Sequence, residues 1–251
     1  MEEKLGVQLF FREGRRMQLT PQGKILMGFA DRMLDLANEA TNALKSDRPT
    51  GVLRLGTMES TAAARLPEPL GRFHERYPEV ALELFSGDPR NLLEQVLCSD
   101  LDAALIADPL PDHRLESVEV YDEELVIVAE ARHACISSPK DLPSKTILAF
   151  HPGCPHRRRL EDWFLRGRVS PGRIVEVGSY HLILGCVAVG MGIALVPHSV
   201  LSSYAERARL SVHRLPSKFG HAKTRLIWLK AAPQAKILAL SSVLLENYGD
   251  R

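Results

Sequence analysis

The sequence predicts an α/β fold in two lobes, carried behind a basic hairpin and one long helix. Three observations point to it. From Gly51 onward, short apolar runs alternate with helical patterns, as strands covered by helices do. The alternation restarts near Thr146, so two sets of strands and helices are joined by two extended crossings, with a cleft between them. Ahead of both sets, residues 22–45 hold no proline and repeat apolar side chains at heptad spacing.

Taken in order, residues 8–20 have apolar ends around Glu13-Gly14-Arg15-Arg16 and read as a β-hairpin with a glycine-bearing turn. Pro21 suits the first turn of the helix that follows. In that helix Leu26, Ala30, Met33, Ala37, Ala40 and Leu44 alternate steps of four and three, and Phe29, Leu36 and Ala43 widen the stripe. Asp31, Arg32, Asp35 and Glu39 lie off it. Such a seam needs a partner surface, either its own domain or a second copy of the chain. The polar linker Ser46-Asp47-Arg48-Pro49-Thr50, the only connection to the body, favours the second copy.

In the body, strands are expected at 52–56, 80–85, 102–106 and 124–129, with helices at 62–76 and 90–99. The second set has strands at 146–150, 173–177 and 192–196, with helices at 156–166 and 180–189. A late strand at 226–229 and a closing helix at 235–248 complete it. Strand–helix alternation of this kind implies largely parallel sheets.

Bulk properties narrow the function. A chain of 251 residues with 45% hydrophobic side chains holds one or two domains with full cores. A net charge of +1 gives no overall pull toward nucleic acid or a membrane surface. No apolar run is long enough to span a bilayer, so no membrane partner is expected. The charged N-terminus lacks a signal-peptide core, so the expected location is cytoplasmic. Cys98, Cys135, Cys154 and Cys186 lie far apart with no C-x-x-C pair, which argues against a zinc knuckle or disulfide framework and suits a reducing compartment. Neither a G-x-S-x-G elbow nor a G-x-x-x-x-G-K-[ST] loop is present, and the glycine-spaced segment 185–192 lacks the preceding strand of a dinucleotide fingerprint. An enzyme is therefore not expected.

The chemistry is expected in the cleft, because open α/β sheets bind ligands at the carboxyl ends of their strands. After the first strand, Glu59, Ser60 and Thr61 stand where they either cap a helix or bond a ligand. Glu59, facing the cleft, would pair with an ammonium group. Asp88 and Arg90 are placed on the opposite wall, with a turn and a capped helix as the plainer account of that segment. In His151-Pro-Gly-Cys-Pro-His156-Arg157-Arg158-Arg159 the consecutive arginines spread over a helix surface, so only one of Arg157 or Arg158 is expected to hold a carboxylate. Ser179, Tyr180 and His181 open another helix and are candidates of the same type. His151, Cys154 and His156 are of metal-ligand type, but their spacing is not a standard zinc pattern, no fourth ligand is evident, and no metal is expected. Cys154, beside arginines at a helix start, invites a low thiol pKa and a redox role, but no resolving cysteine is near in sequence.

Residues 5–23 read L-G-V-Q-L-F-F-R-E-G-R-R-M-Q-L-T-P-Q-G. This resembles the segment after the recognition helix in LysR-type transcriptional regulators, with Leu5, Gly6, Leu9, Phe10, Arg12, Leu19, Thr20 and Gly23 on the pattern. Further matches are G-V-L-R-L-G-T at 51–57, S-D-L-D-A-A-L-I at 99–106 and V-A-V-G-M-G-I-A-L-V-P at 187–197. Gly153, Cys154 and Arg157 are similar to a G-C-x-x-R arrangement in part of the family. The resemblance implies a two-lobed effector-binding domain, similar to type 2 periplasmic solute-binding proteins, behind a remnant of a winged helix-turn-helix and a dimerisation helix. It implies residues 1–21 as the remnant, 22–45 as the dimer helix, 46–51 as linker and 52–251 as the effector domain. Lobe I is expected at about 52–145 and 232–251, and lobe II at about 151–224. It further implies an effector contacting Glu59, Ser60, Thr61, Asp88, Cys154, Arg157, Arg158 and Ser179, and phosphate contacts from Arg12, Arg15 and Arg16. The dimer seam would be Leu26, Phe29, Ala30, Met33, Ala37, Ala40 and Leu44. The expected partners are promoter DNA, a small polar metabolite of unknown identity as co-effector, and further copies of the chain as dimer or tetramer. Because most of the helix-turn-helix is absent ahead of Met1, the chain is expected to be truncated and weakened in DNA binding. The rival expectation is a stand-alone cytoplasmic sensor protein, which would need neither the hairpin nor the heptad helix.

Overall fold

The computed structural model describes residues 1–13, 16–43, 48–108 and 112–246, without the side chains of Arg12, Glu13, Arg16, Asp35, Asn38, Glu39, Asn42 and Ala43. It divides into two compact units, 1–52 with 79–81, and 53–78 with 82–251.

The first unit runs α1 (Glu2–Leu5), β1 (Phe10–Glu13), β2 (Arg16–Leu19) and α2 (Pro21–Ala43). β1 and β2 pair antiparallel with Phe10 opposite Leu19, which is the expected hairpin. Buried Thr20 ties the hairpin to the helix: its hydroxyl donates to the Gln8 carbonyl (2.7 Å) and accepts from the Gly23 amide (2.9 Å). A Cβ on Gly23 would lie 2.0 Å from the Leu9 carbonyl oxygen, so only glycine fits there. The L-T-x-x-G spacing thus has a packing cause. Along α2, Phe29, Met33, Ala37 and Ala40 are exposed and Leu26 and Ala30 half-buried, while Ile25, Leu34 and Leu36 are also exposed. Arg15 and Leu44, and the side chains of Arg12 and Arg16, lie outside the described residues.

The remaining strands are β3 (Gly51–Thr57) and β4 (Val80–Ser86), whose first two residues each count with the first unit, and, wholly in the second unit, β5 (Ala103–Ala107), β6 (Leu115–Glu130), β7 (Thr146–Ala149), β8 (Arg173–Glu176), β9 (Ala194–Pro197), β10 (Leu210–Arg214) and β11 (His221–Leu229). The helices of the second unit are α3 (Glu59–Ala64), α4 (Pro67–Arg76), α5 (Pro89–Leu97), α6 (Pro155–Arg166), α7 (Tyr180–Ala188), α8 (His198–Ser202) and α9 (Ala235–Glu246). The large sheet has the order β10-β6-β11-β5-β3-β4, with β9 also on β6. The sixteen-residue β6 belongs to both lobes. Its first part pairs with β11 through Leu115–Glu124, and its last residues pair with β9 and β10. Parallel β7 and β8 join the second lobe through a bridge between Ile147 and Ile193.

Several expectations are corrected. The sheets are mixed: β3–β5 and β7–β8 are parallel, whereas β10–β6, β11–β5, β11–β6 and β6–β9 are antiparallel. The cause is that the crossings do not merely link lobes; they pair as strands along β6. Residues 62–76 are not one helix. Pro67 has no backbone N–H to continue the helical ladder and suits a first helical turn, so α3 ends before it and α4 begins there. The lobe boundary also moves. Leu125, Ile127, Ala129, Ile136 and Leu142, expected in lobe I, pack with Ile147, Leu160, Trp163 and Phe164 of lobe II.

The first lobe's core gathers Leu92, Val96, Leu101, Ala104, Ile106 and Ile227. Each fully buried leucine or valine contributes about 1.5–3 kcal/mol. The second lobe is filled by Val126, Val128, Ile183, Leu184, Val187 and Val196 around α7 and β9. At the turn between those elements a Cβ on Gly192 would meet the Thr146 carbonyl at 2.5 Å, which explains the second glycine of G-M-G.

Candidate functional site

A cleft of about 260 Å³ opens where strand ends of both lobes meet helix starts. Lobe I supplies Met58, Glu59 and Ser60 after β3, and Ser86, Gly87, Asp88 and Pro89 after β4. Lobe II supplies Phe150, His151, Cys154, Pro155 and His156 after β7, and Gly178 and Tyr180 after β8. Strand ends of both lobes thus line the same cleft.

The floor is a buried polar network. Tyr180 is 4% exposed, and its hydroxyl bonds His156 Nδ1 (2.5 Å) and also takes a hydrogen bond from Ser60. Burial raises the Tyr180 phenol well above its usual range, so it stays protonated. Burial lowers His156 to about 4, helped by nearby Arg159, so its imidazole is neutral at pH 7. The Tyr180 amide donates to Glu59 Oε1 at 3.4 Å, while the buried Glu59 Oε2 has no partner. Burial raises the Glu59 carboxyl above its ordinary value, partly offset by that amide. The Phe150 ring lies 4.8 Å from that of Tyr180 and supplies an apolar wall.

Of the residues expected here, Glu59, Ser60, Asp88 and Cys154 line the cleft. Ser60 and Thr61 are not caps: α3 begins at Glu59 with Met58 as its N-cap, and Thr61 is buried in the helix, off the lining. Asp88 also caps α5, accepting from the Arg90 and Asn91 amides at 3.0 Å each. Arg157 is not among the residues that line this cleft. It is bound to Glu161 (2.9 Å), Glu176 (3.2 Å) and the Phe150 carbonyl (3.0 Å), because β8 brings Glu176 beside α6. Arg158 is exposed, and neither it nor half-buried Ser179 is among the lining residues. Cys154 is free, and burial raises its thiol above the ordinary value, against the low pKa its neighbours invited. His156 spends Nδ1 on Tyr180, and no group of three His, Cys, Asp or Glu suited to a metal occurs among the described residues. Tyr180, Phe150, His156 and Ser86 are the lining residues that matter more than expected. Their signal is present in the sequence: Phe150 and Tyr180 stand at a strand end and a helix start, as Glu59 does in the first lobe.

Two ties reach between the lobes away from the cleft. Arg65, after α3, makes a two-pronged ion pair with Glu123 of β6 (2.6 and 3.1 Å), and Glu123 accepts from Ser199 of α8 at 2.8 Å. Arg159 of α6 pairs with Asp108, just past β5.

The family model described as "LysR substrate binding domain" matches residues 46–249. HTH-type transcriptional regulator GltR of Bacillus subtilis is 36% identical over 228 residues, covering 90% of this chain and 77% of that protein. HTH-type transcriptional regulator YofA of Bacillus velezensis is 37% identical over 220 residues, covering 87% and 75%. In structure, a Corynebacterium glutamicum OxyR C206 mutant superposes with a TM-score of 0.72 at 24% identity, covering 98% of this chain and 80% of the other. Full-length BenM superposes with a TM-score of 0.69 at 23% identity, covering 98% and 84%. These two show the same fold. The chain is thus a member of the LysR family of transcriptional regulators, a regulator and not an enzyme.

Proposed function

We propose that this chain senses a small metabolite in the interlobe cleft and passes its presence to promoter DNA. The observation that carries the reading is the lining of the cleft: side chains from both lobes converge on one small cavity, with Tyr180 of lobe II bonded to Glu59 and Ser60 of lobe I. A ligand touching both lobes changes the free energy of one lobe arrangement relative to another, which is the only way it can shift that equilibrium. Glu59, Ser60, Asp88, Cys154, His156 and Tyr180 are the proposed contacts. β6 and β11 are the continuous strands about which the lobes move, and the register shift at Thr224–Arg225 of β11 marks a place where the ladder is already interrupted.

The exposed apolar stripe of α2 is proposed to pair with a second copy, giving a dimer or a higher oligomer of dimers in the cytoplasm. Arg12, Arg15 and Arg16 are proposed to touch DNA phosphates, which position a protein without reading sequence. No helix among the described residues is long and apolar enough to cross a membrane.

Gly178 offers a direct test. It lines the cleft, and a Cβ there meets nothing within 4 Å, so a side chain is accommodated at that position and Gly178→Trp is chosen to occupy the cavity. A metabolite panel is screened by thermal unfolding against wild type and this variant. Ligands that raise the wild-type Tm and fail with the variant support the reading; ligands that stabilise both equally contradict it.

A further inference from the structure

We propose that the cleft selects a small organic cation, an amine with an apolar body and no carboxylate, and that Glu59 is the residue that binds its ammonium group. This rests on the reading of the cleft as the effector site and specifies the chemistry of that effector.

The charge around the cavity is the first ground. Glu59 and Asp88 are its lining carboxylates, and neither lysine nor arginine is among its lining residues. Arg157 is engaged by Glu161, Glu176 and the Phe150 carbonyl and Arg159 by Asp108, while Arg158 is exposed and off the lining. A buried carboxylate ligand would face two like charges with no lining lysine or arginine to balance it.

The second ground is the state of the helix starts. α5, α6 and α7 all begin at the cleft, and free amides there would attract an anion. Two of the three are already engaged by acids of the chain: Asp88 accepts from the Arg90 and Asn91 amides at the start of α5, and Glu59 Oε1 accepts from the Tyr180 amide at the start of α7. What is left wanting is a donor: Glu59 Oε2 is buried and has no partner. An ammonium supplies both the missing bond and the opposite charge, and a charge-assisted bond of that kind is stronger than a neutral one.

The third ground is the rest of the wall. Met58, Pro89, Phe150 and Pro155 are apolar, and the Phe150 and Tyr180 rings lie together beside the acid. Aromatic faces near a carboxylate favour a cation carrying hydrocarbon. The volume, about 260 Å³, is at the small end for ligand sites and fits a monoamine of one ring.

The proposal has a pH signature. Glu59 faces Tyr180 of α7, Cys154 and His156 of α6, and its neighbour Ser60, with Asp88 of α5 across the cavity. His156 is neutral above about pH 4 and the Tyr180 and Cys154 protons are held by burial; of the remaining titratable lining groups, Glu59, Asp88 and His151, Glu59 is the one with a buried oxygen that lacks a partner, and the Glu59→Gln comparison separates its proton from theirs. Its raised pKa means that amine binding releases a proton from Glu59 on the acid side, and that affinity falls as the pH is lowered through its titration.

The test is isothermal titration calorimetry of the whole chain with benzylamine and with benzoate, in wild type, Glu59→Gln, Glu59→Asp and Gly178→Trp, in buffers of different ionisation enthalpy. The expected result is benzylamine binding with proton release in acid, at least a tenfold loss in Glu59→Gln, partial recovery in Glu59→Asp and no binding in Gly178→Trp. Benzoate is expected not to bind. Benzoate binding that Gly178→Trp abolishes, with none from benzylamine, overturns the amine class while leaving the cleft as a site. Benzylamine binding that survives Gly178→Trp, or that is unchanged in Glu59→Gln, overturns the role of Glu59. Absence of benzylamine binding at millimolar concentration also overturns the proposal. If Glu59→Gln folds poorly, the conservative Glu59→Asp carries the test: proton release and affinity that are both unchanged there overturn the role of Glu59.

Discussion

Glu59 and Tyr180 stand 121 residues apart in sequence and meet at the first turns of α3 and α7, where the Tyr180 amide donates to Glu59 Oε1 at 3.4 Å. One belongs to each lobe, so the cleft is spanned by a bond that any change in lobe arrangement must alter. The Tyr180 side chain extends the same link through its hydroxyl to His156 and Ser60.

Removing that hydroxyl leaves buried His156 Nδ1 without its partner. Tyr180→Phe is therefore expected to destabilise the chain by about 1–3 kcal/mol. Chemical denaturation monitored by circular dichroism measures this. A change within a few tenths of a kcal/mol would mean that the network on the cleft floor contributes little.

His156 makes stability depend on pH. Its pKa falls from the ordinary 6.5 to about 4 in the folded chain, so between these values the unfolded chain binds more protons. Stability is then full above about 6.5 and is lost as the pH falls toward 4. The loss from this group is about 3 kcal/mol, since one pKa unit is about 1.4 kcal/mol. Unfolding free energies at about pH 7 and about pH 4.5 test it. The difference is expected to shrink in His156→Asn, which cannot titrate, and an unchanged difference would assign the pH dependence to other groups.

The Arg65–Glu123 pair is largely buried, its side chains 14% and 8% exposed. Breaking a pair of this kind by removing one partner costs about 3–5 kcal/mol, because the other charge stays buried. Glu123→Ala is expected at that level. Ser199→Ala, which removes only one donor to Glu123, is expected near about 1 kcal/mol. Similar small effects from both would show that water reaches the pair.

In α2 the exposed Phe29 and Met33 lie on the heptad seam. The double substitution Phe29→Glu and Met33→Glu is expected to convert a dimer to a monomer in sedimentation velocity at micromolar concentration. A wild-type chain that is already monomeric there would refute self-association through α2.

Much of the fold is legible in the sequence because its signals are local. The alternation of strands and helices, the hairpin and the α2 stripe follow from neighbours in sequence. The L-T-x-x-G and G-M-G spacings are visible as patterns, but their causes, the close approaches of Gly23 to Leu9 and Gly192 to Thr146, need the assembled chain. Strand direction is not legible for the same reason: β10 and β11 are defined by pairing with a distant β6 rather than by their own composition. In the site, Glu59, Ser60, Asp88 and Cys154 follow from position at strand ends. Arg157 misleads because its fate depends on Glu176, nineteen residues on, and on the Phe150 carbonyl. Charge alone makes it look like a ligand group; only the fold shows that its Nε and Nη1 donors go to Glu161, Glu176 and the Phe150 carbonyl.

The most direct test of the cleft as a sensor is hydrogen–deuterium exchange of the chain with and without a small-molecule extract of cells. The account predicts new protection concentrated in residues 58–61, 86–91, 150–157 and 178–183, and its disappearance in Gly178→Trp. Protection elsewhere, or protection that persists in the filled variant, would contradict it.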